Sequence, residues 1–102
     1  MRLPYIRKLK EYSHNGVSVY LVNGFWIRNN KYIDFTQGGH GYIYKFIPKS
    51  EIWIDNAIRA TEREYVILHE KIERTLMKRG ASYNSAHKIA SEVEINARRG
   101  NI

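Results

Sequence analysis

The sequence predicts an α+β domain, with a small antiparallel sheet in its first half and a helical hairpin in its second. Short runs of β-branched and aromatic residues, separated by turn residues, occupy positions 17–55. From position 61 onward, apolar residues recur instead at every third or fourth position. Gly80 and Ser82 interrupt that second pattern, as a helix stop followed by a helix start would.

The strands are read as follows. VSVYLV (17–22) is a strand, and Asn23-Gly24 a tight turn leading into FWIRN. Asn29-Asn30 makes a second turn before KYIDF (31–35), so two hairpins form a meander. His14 sits beside Asn15-Gly16 as turn surface. TQGGHG (36–41) reads as a flexible break, which makes His40 a mobile surface imidazole unless it serves a site. YIYKFI (42–47) alternates as a strand and ends at Pro48. EIWID (51–55) is the last strand and the candidate edge of the sheet, with Ile52 and Ile54 on one face and Trp53 on the other. Asp55 ends it or caps the next element.

Thr61 with Glu64 fits a capping box at the start of the first long helix. Tyr65, Leu68, Ile72 and Leu76 form its apolar stripe, and Lys78 and Arg79 suit its C-terminal end. Ser82 caps a second helix from about Tyr83 to Arg98. Its apolar positions Ala86, Ile89, Ala90 and Val93 are small enough for close packing.

At 102 residues and 12.1 kDa the chain is expected to be a single domain, 1–102, with one modest core. It has no cysteine, which excludes disulfides and thiolate metal sites. No apolar run approaches the roughly 20 residues that span a bilayer, and MRLPYIRKLKEY does not read as a signal peptide. A cytoplasmic protein with no membrane partner is the expectation. The charge of +7 and pI near 9.8 allow a nucleic-acid partner. Such a surface would use Arg2, Arg7, Lys8, Lys10, Lys31 and Lys45, with Tyr5, Tyr32 and Tyr44 for stacking. Those aromatics fit equally well between sheet and helices.

ILHEKIERTLM carries the chemistry. His69 and Glu73 are four apart, hence one helical turn apart on one face. Glu70 lies about 100° further round, where a carboxylate could serve a metal-activated water. In an antiparallel hairpin turning at Gly80, His87 and Glu94 bracket the level of His69 and Glu73, each displaced by roughly 5 Å along the axis. His69, Glu73, His87 and Glu94 are therefore candidate ligands for zinc, with manganese, iron or cobalt also compatible. Three ligands would leave an open position, with Glu70 as base, whereas four would close the site. The plain alternative is a solvated acidic helix face, with Glu70 paired to Arg74.

The run from Gly39 to Glu94 also resembles a family of small zincin-like, minimal metallopeptidase-like proteins of bacteria, phages and archaeal viruses. The likeness rests on Ile-Trp-Ile-Asp, then Leu-His-Glu-x-x-Glu, Leu76-Met77, Gly80, Tyr83, Ala86-His87 and Glu94. It implies a zincin-like core over 39–98, with an edge strand along the cleft and the metal helix behind it. By position, His69 and Glu73 would be ligands, Glu70 the acid/base, and His87 or Glu94 the further ligand. The first 38 residues lie outside the likeness. Glu73 stands where a second His is more usual, which makes a metal-bound water less acidic.

The expected function is metal-dependent hydrolysis of an amide, most simply a peptide bond. His40 and Tyr83 are candidates to stabilise the oxyanion. Trp53, on the EIWID strand, is a further candidate contact for an extended peptide. Competing classes are a peptide- or protein-binding module of the same shape and a basic nucleic-acid binder. Exposed sheet edges leave room for a homodimer.

Overall fold

The computed structural model describes residues 3–100. Arg2, one of the expected basic contacts, lies outside them. Strand β1 (Tyr5–Lys8) leads through a short 3₁₀ turn into β2 (Ser18–Val22), followed by helix α1 (Gly24–Asn30). Then come β3 (Gly38–His40), β4 (Glu51–Asp55), α2 (Ala60–Lys78) and α3 (Tyr83–Arg98). The α+β class holds, but the sheet is mixed. Its order is β1-β2-β4-β3, with β2 and β4 parallel and the other pairs antiparallel.

The central position of β4 corrects the expectation of an edge strand. Ile52, Trp53, Ile54 and Asp55 are all buried, because β4 has a neighbour on each side and material on both faces. Ile52 and Ile54 pack with Val19, Leu21, Val66 and Ile67 beneath α2. Trp53 packs on the opposite face with Val22, Ile27, Phe35 and Ile47. The predicted split of that strand's faces is therefore observed, and it builds two cores.

Two predicted hairpins are absent. Asn23 caps a helix instead of turning a hairpin, its Oδ1 accepting from Trp26 N–H at 3.0 Å. Gly24 is required for another reason: a Cβ there would sit 2.2 Å from the Asp55 carboxylate. FWIRN consequently winds as α1 and buries Ile27, with Arg28 reaching Asp55 at 2.7 Å. Asp55 Oδ1 also accepts from Ala57 N–H, the turn-capping role expected of it. KYIDF follows α1 through turns, with Phe35 N–H bonded to Tyr32 O.

YIYKFI likewise coils through turns, including Tyr44 N–H to His40 O at 3.1 Å. Its alternate aromatics Tyr44 and Phe46 still pack on the Trp53 core, so the period of two marked burial without a strand. TQGGHG supplies β3. Its glycines are there for close approach, since a Cβ on Gly39 would lie 2.5 Å from the Tyr44 ring.

The helical hairpin forms as the sequence suggests. Gly80, at φ +104°, closes α2 in a Schellman turn, with Ala81 N–H to Leu76 O and Gly80 N–H to Met77 O. Ser82 then caps α3 through Ser85 N–H. Ala86 and Ala90 are fully buried, while Ile89 is exposed. The α2 start differs: Arg59 is the N-cap without a side-chain bond, so Thr61 and Glu64 form no capping box. Tyr65, Leu68, Ile72 and Leu76 are only half-buried. The buried face of α2 carries Val66 and Ile67 together with His69, Glu70, Glu73 and Arg74. Among the described residues no helix is long and apolar enough to cross a membrane.

Candidate metal centre

Four ionisable residues buried on one helix are costly unless each finds a partner. The partners of two of them, His69 and Glu73, define the site. Glu73 is the hub. Its Oε2 lies 3.1 Å from His69 Nε2 and 2.9 Å from His87 Nδ1, while Oε1 lies 2.9 Å from His40 Nε2. The i, i+4 spacing brings His69, and the hairpin at Gly80 brings His87 from α3. The His69 and His87 rings meet edge to face with centroids 4.9 Å apart.

His40 arrives from β3, and its hydrogen bonds fix its tautomer. Tyr42 N–H donates to His40 Nδ1 at 3.1 Å, so Nδ1 is an acceptor and the ring hydrogen sits on Nε2. Nε2–H therefore donates to Glu73 Oε1 and has no lone pair for a metal. His40 is fully buried, which corrects its reading as a mobile surface imidazole. Its role is to hold Glu73 so that Oε2 faces the two other rings.

Glu94 comes from α3 on the other side of the His69 ring. Its Oε1 lies 3.0 Å from His69 Nδ1, yet that nitrogen has no well-aligned hydrogen bond. The contact is ionic, with the carboxylate off the N–H direction. Arg98 anchors the other oxygen of Glu94 at 2.8 Å and also reaches Glu62 at 2.7 Å. Of the four expected ligands, the structure brings His69, Glu73 and His87 around one oxygen atom and puts Glu94 behind the His69 ring.

These three fit a divalent ion. Each offers a ligand atom within 4.8 Å of the others. Two atoms bound to one zinc at about 2.1 Å and a tetrahedral angle would stand roughly 3.4 Å apart. The 2.9 and 3.1 Å separations need to open only slightly.

Electrostatics sharpen the roles. Burial alone would raise Glu73, but hydrogen bonds from His40, His69 and His87 outweigh it and hold the carboxyl well below its usual range. The bond to Glu73 raises His69 against the opposing effect of burial, aided by the charges of Glu70, Glu73 and Glu94. Glu70 goes the other way: burial, then the charge of Glu73, push it up to about 8. It makes no pair with Arg74, whose Nε donates to Lys49 O instead.

His69, Glu70, Glu73 and His87 line a cleft of about 330 Å³. The segment Thr36–Gly39 forms one wall, and Tyr83, stacked on His87 with centroids 5.2 Å apart, forms part of the other. Trp53 is not there. It is buried in the opposite core with its Nε1 bonded to Glu51, which removes it as a substrate contact. Asp55 N–H bonds to Gln37 O, so Gly38–Ile54 is a non-hydrogen-bonded pair and the peptide groups of Gly38 and His40 point away from β4. The edge beside the cleft is thus β3. Sequence reasoning missed this because it took Gly38-Gly39-His40-Gly41 for flexibility rather than close packing.

No protein family, characterised protein or solved structure matches this chain. Its chemistry has to be argued from the site itself.

Proposed function

We propose that this protein is a metal-dependent hydrolase of minimal metallopeptidase type, cytoplasmic, with a zincin-like core. The reading is carried by one observation: His69 Nε2 and His87 Nδ1 both lie within 3.1 Å of Glu73 Oε2, in a cleft that Glu70 also lines. His69, Glu73 and His87 would hold the ion. Glu94 and His40 orient His69 and Glu73 from behind, as outer partners of metal ligands do. A bound divalent ion would polarise a scissile carbonyl and acidify water there.

Glu70 takes the proton from the attacking water and returns it to the leaving amine. Without a cation it is a neutral acid at pH 7, given its value of about 8. A nearby positive charge lowers that value and restores the carboxylate that a base requires. Tyr83, with its hydroxyl in the cleft wall, suits the developing oxyanion. The substrate is an extended peptide laid in the cleft beside the Thr36–Gly39 wall, where Gly38 N–H and His40 O are already bonded to Thr36 O and Tyr44 N–H.

Elemental analysis of tag-free protein tests the metal, with one equivalent of a divalent ion expected. Substoichiometric metal, together with no thermal shift on adding zinc or manganese, would remove the reading. Glu70→Gln should keep the ion and abolish peptide hydrolysis. Unchanged hydrolysis would reject Glu70 as base, and metal retention without any wild-type hydrolysis would leave a peptide-binding module.

A further inference from the structure

Arg74 is buried, yet no carboxylate pairs with it among the described residues. Its guanidinium carries five N–H donors. The described hydrogen bonds use one of them, Nε to Lys49 O at 2.8 Å. The terminal nitrogens are not among the buried polar atoms left without a partner, and Arg74 lines the adjoining cavity. Part of the cation is stabilised by the Tyr42 ring, 5.4 Å away, which holds the side chain in place without neutralising it.

That cavity, of about 250 Å³, lies on the other flank of α2 from the metal cleft and shares no residue with it. Lys71 stands three positions before Arg74 on the same helix face and lines it too. It also has no acidic partner among the described residues, and burial lowers its pKa. Thr75, His14 and Asn15 add polar groups. The 14–17 turn that presents the last two is closed by paired bonds between His14 and Val17 of 3.0 and 2.9 Å. Val17 and Ile52 make an apolar floor, and no acidic side chain lines the space among the described residues.

We propose that this cavity is an anion site for a phosphate monoester. Two basic side chains without an acidic partner among the described residues favour a doubly charged ligand, whose charge in turn favours the protonated Lys71. The Arg74 fork matches two oxygens of one phosphate, and Lys71 supplies a point charge beside it. The hydroxyl, amide and imidazole at the rim exceed what a carboxylate's two oxygens can use. The room beyond a phosphate alone leaves space for the group that carries it. The site does not depend on the metal centre.

The test is an amide-resolved NMR titration of the full chain with inorganic phosphate, then glycerol phosphate, at constant ionic strength and with chelator present. Saturable shifts confined to 14–17 and 71–75 are expected, weakened about ten-fold by Lys71→Met or by Arg74→Lys. Should Arg74→Lys fail to fold, Lys71→Met and Thr75→Val carry the same comparison. Absence of saturation, shifts spread over the surface lysines, or unaltered binding by Lys71→Met would overturn the site. Equal saturation by an oligonucleotide lacking a terminal phosphate would also overturn the monoester, in favour of a nucleic-acid backbone.

Discussion

Glu70 shows how burial, aided by a neighbouring carboxylate, prepares a group for chemistry. A carboxyl group with an ordinary value near 4.5 is pushed up to about 8 by its surroundings. The folded state therefore holds a proton that the unfolded chain has released, and the ion-free protein loses stability as pH rises from about 4.5 to 8. Glu70→Gln should remove that loss. Its unfolding free energy should match wild type near pH 4.5 and exceed it near pH 8, by at most about 5 kcal/mol from the shift; coincident profiles would contradict the burial argument. His40 acts through Glu73. His40→Ala leaves a buried carboxylate oxygen short of a donor, a cost of roughly 1–3 kcal/mol, and should weaken metal binding some 10- to 100-fold. Calorimetric titration with zinc reads the second effect, and unchanged affinity would reduce His40 to packing.

Helix α2 and its turn set the register on which the site depends. A Cβ at Gly80 would meet nothing within 4 Å, so Gly80→Ala tests the backbone alone, at φ +104°. It should cost about 1–2 kcal/mol in denaturant unfolding. Ala90→Leu tests the separation of α2 and α3, because Ala90 is a fully buried residue of α3. Overpacking there should cost about 1–3 kcal/mol and push His87 away from Glu73, so metal affinity should fall along with stability. An equal affinity in this variant would show that α3 does not position the site. Strand β3 is equally a positioning element, since its three residues form the edge of the sheet and carry His40 to Glu73 on α2.

Across the whole molecule, Glu70, Glu73 and His69 shape the pH response of the ion-free state. Glu73, held low, stabilises the fold above the usual carboxylate range and loses that contribution as pH falls below about 4.5. His69, held high, stabilises it below about 6.5 and loses that contribution as pH rises through its folded value. Together with Glu70, they predict greatest ion-free stability near pH 4.5 and a decline from there toward pH 8, steeper above about 6.5. A bound divalent ion should reverse the alkaline part, because binding to the folded state adds stability as the ligands lose protons. Thermal melts at pH 5, 7 and 8.5, with and without zinc, read both effects. A zinc shift no larger at pH 8.5 than at pH 5 would count against coordination by these groups. The basic surface offers less to nucleic acid than composition suggested: Tyr5 and Tyr44 are spent on the core around Trp53, leaving Tyr32 exposed.

Local signals sufficed for the second half of the chain. Helical period, a glycine stop and a serine cap are decided within a few residues, so α2, α3 and the meeting of His69 and Glu73 with His87 and Glu94 could be read from spacing. The first half could not be read this way. Whether Asn23-Gly24 turns or caps, and whether Gly38-Gly39 bends or pairs, depends on Asp55, Tyr44 and Trp53, which lie 14 or more residues away except where Tyr44 folds back on Gly39. Only tertiary packing put β4 inside the sheet and buried His40 against Glu73, because a non-local contact outweighs a weak local preference.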